Sequence, residues 1–162
     1  MVKMVKWLVC IATLLATDVA IGGPRKKVQD IFLSIDAGEP GRLTAKTVAV
    51  TVKLSGHGSE FSFLPRELRF VRRESVKFII DNDTDETHEF VLGSHLENLA
   101  HAQTMKLIKD LDHHYQSGRV IAPRSTASFV WVFSKVGKFE FACLIPDHQQ
   151  VSEIKHGTIV VD

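Results

Sequence analysis

Short runs in which apolar and polar residues alternate dominate the chain from about residue 44 onward. Val48, Val50 and Val52 alternate with threonine and alanine, which is the period-two pattern of a half-buried β-strand. Further β-rich runs, most of them separated by Gly, Pro, Asn or Asp, cover Phe61–Leu64, Glu67–Val71, Ser75–Asp81, Glu86–Leu92, Arg119–Ile121, Ala127–Phe133, Lys138–Cys143 and Gly157–Val161. Many short strands at close spacing predict an all-β fold, an antiparallel sandwich or barrel.

One segment follows a different period. Near residues 96–111, apolar or long side chains recur at spacings of three and four, at Leu96, Leu99, Ala100, Gln103, Leu107 and Leu111. This spacing is typical of an amphipathic helix. We expect one short helix here, inserted among the strands and lying over one end of the sandwich.

The turn Val136–Lys138 separates two runs rich in aromatic residues. Its glycine predicts a β-hairpin, in which the two runs would pair directly. We expect the aromatic side chains of both runs to lie in the core, namely Phe129, Trp131, Phe133, Phe139 and Phe141.

The first 22 residues have the order of a secretory signal peptide. Lys3 and Lys6 precede an apolar run, Trp7–Ala16, and small residues follow. The run is shorter than the ~20 residues that span a bilayer. We therefore predict three parts: a signal peptide at 1–22, an N-terminal extension at 23–43 and one domain at 44–162, exported to the periplasm.

Composition excludes some classes of function. The chain has 162 residues, of which 44% are hydrophobic, enough for one buried core. The formal net charge of +1 provides no basic field for a nucleic acid. Removal of the signal peptide takes away Cys10 and leaves Cys143 as the single thiol. An unpaired thiol in an oxidising compartment suggests a ligand.

Three residues carry the strongest chemical signal. A strand leads to Cys143, and His148 follows five residues later on the same loop. His88 begins another strand, after the acidic turn Asp81–Asp85. One thiolate and two imidazoles form the trigonal donor set of a blue-copper centre.

The order of several motifs resembles the cupredoxin family, specifically the plastocyanin-like and pseudoazurin-like periplasmic copper proteins. The motifs are Phe63–Pro65, His88–Gly93, Val120–Pro123, Phe129–Trp131 and Gly137–Pro146 with His148. The resemblance runs from about Thr47 to Val161. It implies a Greek-key β-sandwich with one type 1 (blue) copper-like site, in which His88, Cys143 and His148 are ligands.

The chain departs from that family at the axial ligand. The family usually has a Met a few residues after the second histidine, and this chain has none there. Glu153, Gln149 or Gln150 could supply an oxygen instead, or the copper could be three-coordinate. An oxygen ligand would lower the reduction potential. A tetrahedral zinc site of His88, Cys143, His148 and Glu153 is the alternative.

A second group of possible ligands lies on and after the predicted helix. His101 and Met105 fall four residues apart on one helical face, and acidic residues and histidines follow. The group as a whole is His95, His101, Met105, Asp110, Asp112, His113 and His114. It is read either as a second copper or zinc site or as a solvated, histidine-rich segment. His57 and His156 receive no role.

Together these observations predict an exported copper-binding protein for electron transfer or periplasmic copper handling. The alternative is a non-redox sequestration or resistance protein, or a degenerate domain, because the axial Met is missing. An enzyme is not expected, since no catalytic motif competes with the metal set. The expected partners are a copper ion and a redox protein that docks on Leu144, Ile145 and Pro146. We expect a monomer with no membrane span after signal removal.

Overall fold

Two five-stranded sheets form the framework of the domain. The structure is a computed structural model that describes residues 37–57, 60–107, 116–148 and 154–162. Its strands are β1 (Gly38–Pro40), β2 (Val48–Ser55), β3 (Ser62–Leu64), β4 (Glu67–Phe70), β5 (Ser75–Asn82), β6 (His88–Gly93), β7 (Gly118–Ile121), β8 (Thr126–Phe133), β9 (Gly137–Cys143) and β10 (Lys155–Val161). Helix α1 (His95–Leu107) follows β6, and a 3-10 turn, Pro146–His148, follows β9.

The first sheet has the order β1-β8-β5-β2-β3, and the second has the order β4-β10-β9-β6-β7. Most pairs are antiparallel, but β2 pairs with β5 and β4 pairs with β10 in parallel. Connections that cross from one sheet to the other bring strands together that are distant in sequence. The predicted β-sandwich is confirmed. The alternation of apolar and polar residues along the sequence could not reveal that two of the strand pairs are parallel.

Aromatic side chains fill the space between the sheets. Phe141 of β9 lies 5.2 Å from Phe63 and 5.0 Å from Phe90, measured between ring centroids. Phe78 of β5 stacks on Phe129 of β8 at 5.4 Å. The predicted core aromatics are all buried. Burial of each such ring contributes about 2–3 kcal/mol of hydrophobic stabilisation.

The predicted hairpin between β8 and β9 is wrong. Strand β8 pairs with β1 and β5 in the first sheet, whereas β9 pairs with β10 and β6 in the second. The turn at Gly137 therefore carries the chain across the sandwich. Phe133 and Phe139 still meet, with centroids 6.2 Å apart. They meet across the core, with their rings tilted by 31°, because the two strands belong to opposite sheets.

A short strand lies inside the segment assigned to the N-terminal extension. Gly38–Pro40 pairs with residues 131–133 of β8 and forms the edge of the first sheet. Its sequence, Gly-Glu-Pro, is typical of a turn, which is why the pattern gave no strand signal. Residues 1–36, including the predicted signal peptide, lie outside the described residues. Within the described part, no helix is long and apolar enough to cross a membrane.

Helix α1 packs with a different face from the one the leucine spacing indicated. Its buried residues are Asn98, Ala102 and Met105. By contrast, Leu96 is 75% exposed and Leu107 is 84% exposed. Ala102 packs on the outer face of the second sheet against Val91, Ala142 and Leu144. The small Ala102 side chain permits this close approach. Residues 108–115, the end of the predicted helix, lie outside the described part.

These contacts predict which helical face is sensitive to charge. Ala102→Asp should lower the free energy of unfolding by roughly 2–4 kcal/mol, because it buries a carboxylate without a partner. Leu96→Asp, at an exposed site, should change it by no more than about 0.5 kcal/mol. Urea unfolding followed by circular dichroism measures both. The reverse order of the two effects would show that the leucine face is the packed one.

Candidate metal centre

Three separate elements bring His88, Cys143 and His148 together at one end of the sandwich. His88 is the first residue of β6, Cys143 is the last residue of β9, and His148 ends the 3-10 turn. One donor atom from each residue lies within 4.8 Å of the other two, and all three residues are buried. The structure thus juxtaposes three of the residues that the sequence singled out.

The distances between donor atoms fit a metal ion. The sulfur of Cys143 lies 3.9 Å from Nδ1 of His88 and 3.7 Å from Nδ1 of His148. Metal–sulfur and metal–nitrogen bonds of about 2.3 and 2.0 Å at a tetrahedral angle separate the two donors by roughly 3.5 Å. The cluster needs to contract only slightly to bind an ion. A soft thiolate with two imidazoles suits copper, and it also suits zinc.

Hydrogen bonds fix the tautomer of His88. Its Nε2 lies 2.9 Å from Oγ1 of Thr84. The Thr84 hydroxyl donates a hydrogen bond to Oδ1 of Asn82 at 2.7 Å, so it accepts the hydrogen bond from His88. Nε2 of His88 therefore carries the proton, and the lone pair of Nδ1 faces the sulfur. Such an outer hydrogen bond orients a ligating histidine and raises its basicity.

Asn82 in turn is held by three backbone carbonyls. Its amide nitrogen donates to the oxygens of Glu86, Ile121 and Ala122, at 2.8, 3.3 and 2.9 Å. These bonds determine which side of the amide faces Thr84. They also tie the turn before β6 to the end of β7. The turn that delivers His88 is thereby anchored to its neighbouring strand.

His148 has its outer nitrogen directed toward a carboxylate. Its Nε2 lies 3.6 Å from Oε2 of Glu86, and only 9% of the residue is exposed. The His148 ring also lies 4.6 Å from the His88 ring and 5.8 Å from the ring of Phe61. Phe61 covers both imidazoles, since its centroid is 4.2 Å from that of His88. The aromatic ring limits access of water to the donor atoms.

Burial dominates the protonation of the cluster. It raises the pKa of the Cys143 thiol to about 12, although N–H groups of Glu89 and Ile145 oppose the shift. The Glu89 N–H donates to the sulfur at 3.4 Å. Burial, followed by repulsion from His148, lowers the pKa of His88 to about 4. Near neutral pH the His88 lone pair is therefore available, while the thiol proton must leave when a metal binds.

Other sequence predictions have mixed outcomes. Glu153, Gln149, Gln150, His113 and His114 lie outside the described residues. Leu144 is fully buried and packs beneath helix α1, so the predicted docking patch is wrong at that position. Ile145 and Pro146 are partly exposed and line a cleft with Met105.

Sequence analysis missed the residues that surround the three donors. Thr84 and Asn82 lie in the acidic turn Asp81–Asp85, to which the sequence pattern assigns no ligand role. Asn and Thr side chains commonly bond to nearby backbone in turns, and this tendency was the available signal. Glu86 and Phe61 gave no local signal, because their positions relative to the site depend on the packing of the sheets.

Comparisons with known proteins agree with this geometry. The chain is 36% identical over 124 residues to the copper-resistant cuproprotein CopI of Rubrivivax gelatinosus, and the match covers 76% of this chain and 72% of the relative. It is 26% identical over 151 residues to CopI of Pseudomonas aeruginosa, covering 75% of this chain and 81% of the relative. No protein-family model matches the chain.

A solved structure shows the same fold at low identity. Auracyanin A, a "blue" copper protein from Chloroflexus aurantiacus, superposes with a TM-score of 0.57 and 18% identity. The match covers 72% of this chain and 99% of that one. This likeness confirms the cupredoxin-like sandwich that the sequence resemblance implied.

The depressed pKa of His88 predicts how the metal-free protein responds to acid. The unfolded histidine binds a proton near pH 6.5, whereas the native one does so only near pH 4. Stability should therefore fall as the pH drops from about 6.5 to 4, by up to about 1.4 kcal/mol per pH unit from this group.

Urea unfolding of the apoprotein at pH 7, 6 and 5 measures this slope. His88→Gln should flatten it, whereas the exposed His57, changed to Gln, should leave it as in the parent. Equal slopes in all three proteins would contradict the assignment.

Proposed function

The chain belongs to the CopI family of copper-resistant cuproproteins, and we propose that it binds one copper ion through His88, Cys143 and His148. The observation that carries the proposal is the convergence of one sulfur and two imidazole nitrogens within 4.8 Å in a buried pocket. A bound copper ion would supply one-electron redox chemistry there. The chain's own residues supply the position, the protonation state and the exclusion of water.

Each residue of the pocket has a separate task in this proposal. Oγ1 of Thr84 lies 2.9 Å from Nε2 of His88, and this hydrogen bond holds the ring with the Nδ1 lone pair toward the sulfur. The Glu89 N–H stabilises negative charge on Cys143 once the thiol proton has left. Phe61 shields both imidazoles. A site positioned by strands and a bonded turn changes shape little with the charge of the ion it holds.

We favour copper handling over long-range electron transfer as the role of the site. An electron carrier needs an accessible edge, and in this structure His148 is only 9% exposed. Its outer nitrogen faces Glu86 at 3.6 Å. Leu144, expected in a docking patch, is buried. These features favour retention of the ion over rapid docking to a redox protein, and the family name, copper-resistant cuproprotein, agrees with that role.

The proposed location of the protein rests on its N-terminal sequence. We propose export to the periplasm through the signal peptide at 1–22, followed by action as a monomer. An enzymatic activity is not part of the proposal, because the relatives are named as cuproproteins.

The central test is Cys143→Ser. The thiolate provides the charge-transfer absorption of a blue-copper centre, so the variant should lose any intense visible band on copper addition. It should stay folded, because serine has nearly the same shape. Visible absorption and electron paramagnetic resonance during a Cu(II) titration measure the loss, and circular dichroism checks the fold.

Two results would contradict the site. A variant that keeps the band would exclude Cys143 as a ligand. A parent protein that remains colourless and prefers zinc in competition would replace the copper assignment with a zinc site.

The fourth ligand is proposed to be Glu153. In the register of β9 and β10, Lys155 lies opposite Cys143. Glu153 precedes Lys155 by two residues in the sequence, and a carboxylate oxygen is an acceptable ligand for zinc or copper. Gln149, Gln150 and a three-coordinate ion are the other outcomes of the test.

Glu153→Met tests this ligand through the reduction potential. Replacement of an oxygen ligand by a thioether should raise the potential of the bound copper, because the softer donor favours Cu(I). Glu153→Gln, which keeps an oxygen, should raise it less. Equal potentials in parent and both variants, measured by voltammetry, would remove Glu153 from the ligand set.

A further inference from the structure

A second cluster of possible ligands lies on the outer face of the second sheet, on the side of the sheet away from the core. It consists of His95 at the start of α1, Glu140 on β9 and His156 on β10. On β9, Phe139, Phe141 and Cys143 face the core, and the alternate residue Ala142 packs under α1. Glu140 shares the outer face with Ala142 because side chains alternate along a strand.

The backbone register brings the three residues together. His156 is the direct partner of Ala142, which places it diagonally from Glu140. Gly93 of β6 is the partner of Glu140 on the other side, and His95 follows two residues later. Diagonal neighbours on one face lie within reach of long side chains.

Both imidazoles approach the same carboxylate oxygen. Oε1 of Glu140 lies 3.0 Å from Nδ1 of His95 and 3.8 Å from Nε2 of His156. The Glu140 side chain is only 14% exposed, so water solvates its charge poorly. A partly buried carboxylate flanked by two imidazoles favours a cation at its side.

The hydrogen bond of His156 determines which of its ring nitrogens carries a proton. Nδ1 of His156 lies 2.9 Å from the carbonyl oxygen of Ile154, and a carbonyl can only accept. Nδ1 therefore carries a proton, and the lone pair of a neutral ring lies on Nε2, which faces Glu140. Two electron-rich atoms then face each other unless a proton or a metal ion lies between them. A histidine that donates its other N–H to a backbone carbonyl is typical of metal ligands.

We propose that His95, Glu140 and His156 form a second metal site, which binds a divalent transition-metal ion such as Cu(II) through two nitrogens and one oxygen. Such a donor set suits Cu(II) and also zinc. Closing the site requires a rotation of His95, whose side chain is 65% exposed and has room to turn. The proposal does not depend on the Cys143 centre. Glu140 is three residues from Cys143 on one strand, about 10 Å away along β9.

The purified exported protein, without the proposed signal peptide at 1–22, provides the test, with Cu(II) alone as the probe. The parent should bind two equivalents, one with a thiolate band and one with the electron paramagnetic resonance signal of nitrogen and oxygen ligands. His156→Ala and Glu140→Ala should each weaken the second equivalent by about 100-fold or more, since loss of a direct ligand exceeds the effect of an outer-shell change. Both should leave the thiolate band unchanged.

Matched variants separate this site from the first. The exposed His57, changed to Ala, should keep both equivalents, and Cys143→Ser should keep the second equivalent while losing the band. The proposal is overturned if the parent binds one equivalent only, which would leave an imidazole–carboxylate ion pair at this position. It is also overturned if the second ion persists in His156→Ala, since other histidines would then hold it.

Discussion

The hydrogen bonds of Asn82 are the constraint on which the candidate centre depends. This buried amide donates hydrogen bonds to carbonyls from two segments and accepts one from the Thr84 hydroxyl. Each bond contributes only about 1 kcal/mol net, but a buried group left without its partner costs about 1–3 kcal/mol. The turn before β6 therefore has one favourable arrangement. Through Thr84, that arrangement fixes which nitrogen of His88 carries a proton. A hydrogen-bond network at the edge of the core thus determines the protonation of the nitrogen that is the proposed metal ligand.

The sandwich explains why the three donor atoms can be far apart in sequence and still converge. Strands β6 and β9 are hydrogen-bonded neighbours in the second sheet. They run in opposite directions, so the start of β6 and the end of β9 meet at the same end of the sheet. His88 and Cys143 occupy these two ends. The 3-10 turn after β9 then reverses the chain and returns His148 to the sulfur, 3.7 Å away. Antiparallel pairing thus brings donor atoms together that are far apart in the sequence.

The sequence predicted most strands, because period-two alternation is a local property of a half-buried sheet. It could not predict which sheet a strand joins. The hairpin predicted between β8 and β9 is wrong for that reason. Residues near Gly137 look the same whether the turn closes a hairpin or crosses the sandwich. Helix α1 shows a similar limit: its leucines recur at helical spacing, yet the contact is made by Ala102, whose small size matters more than its hydrophobicity. His88, Cys143 and His148 are recognisable in the sequence because Cys143 is the single thiol left after removal of residues 1–22, and the motif order singles out two of the eight histidines. Thr84 and Glu86 are not, since their relation to the site exists only after the sheets have packed.

Alternation along β9 has a consequence for both of the sites. Odd-numbered residues of this strand face the core, and Cys143 is the last of them, whereas Glu140 lies on the opposite face with the even-numbered ones. A shift of β9 by one residue would exchange the two faces, exposing the aromatic rings and burying a carboxylate. The core prevents this shift, because Phe141 is packed against Phe63 and Phe90 and its ring occupies the space that a side chain at Gly157 would need. The aromatic packing that stabilises the fold therefore also keeps a thiol on one side of the strand and a carboxylate on the other. One strand can in this way contribute a side chain to each of the two proposed metal sites, provided that its register does not change.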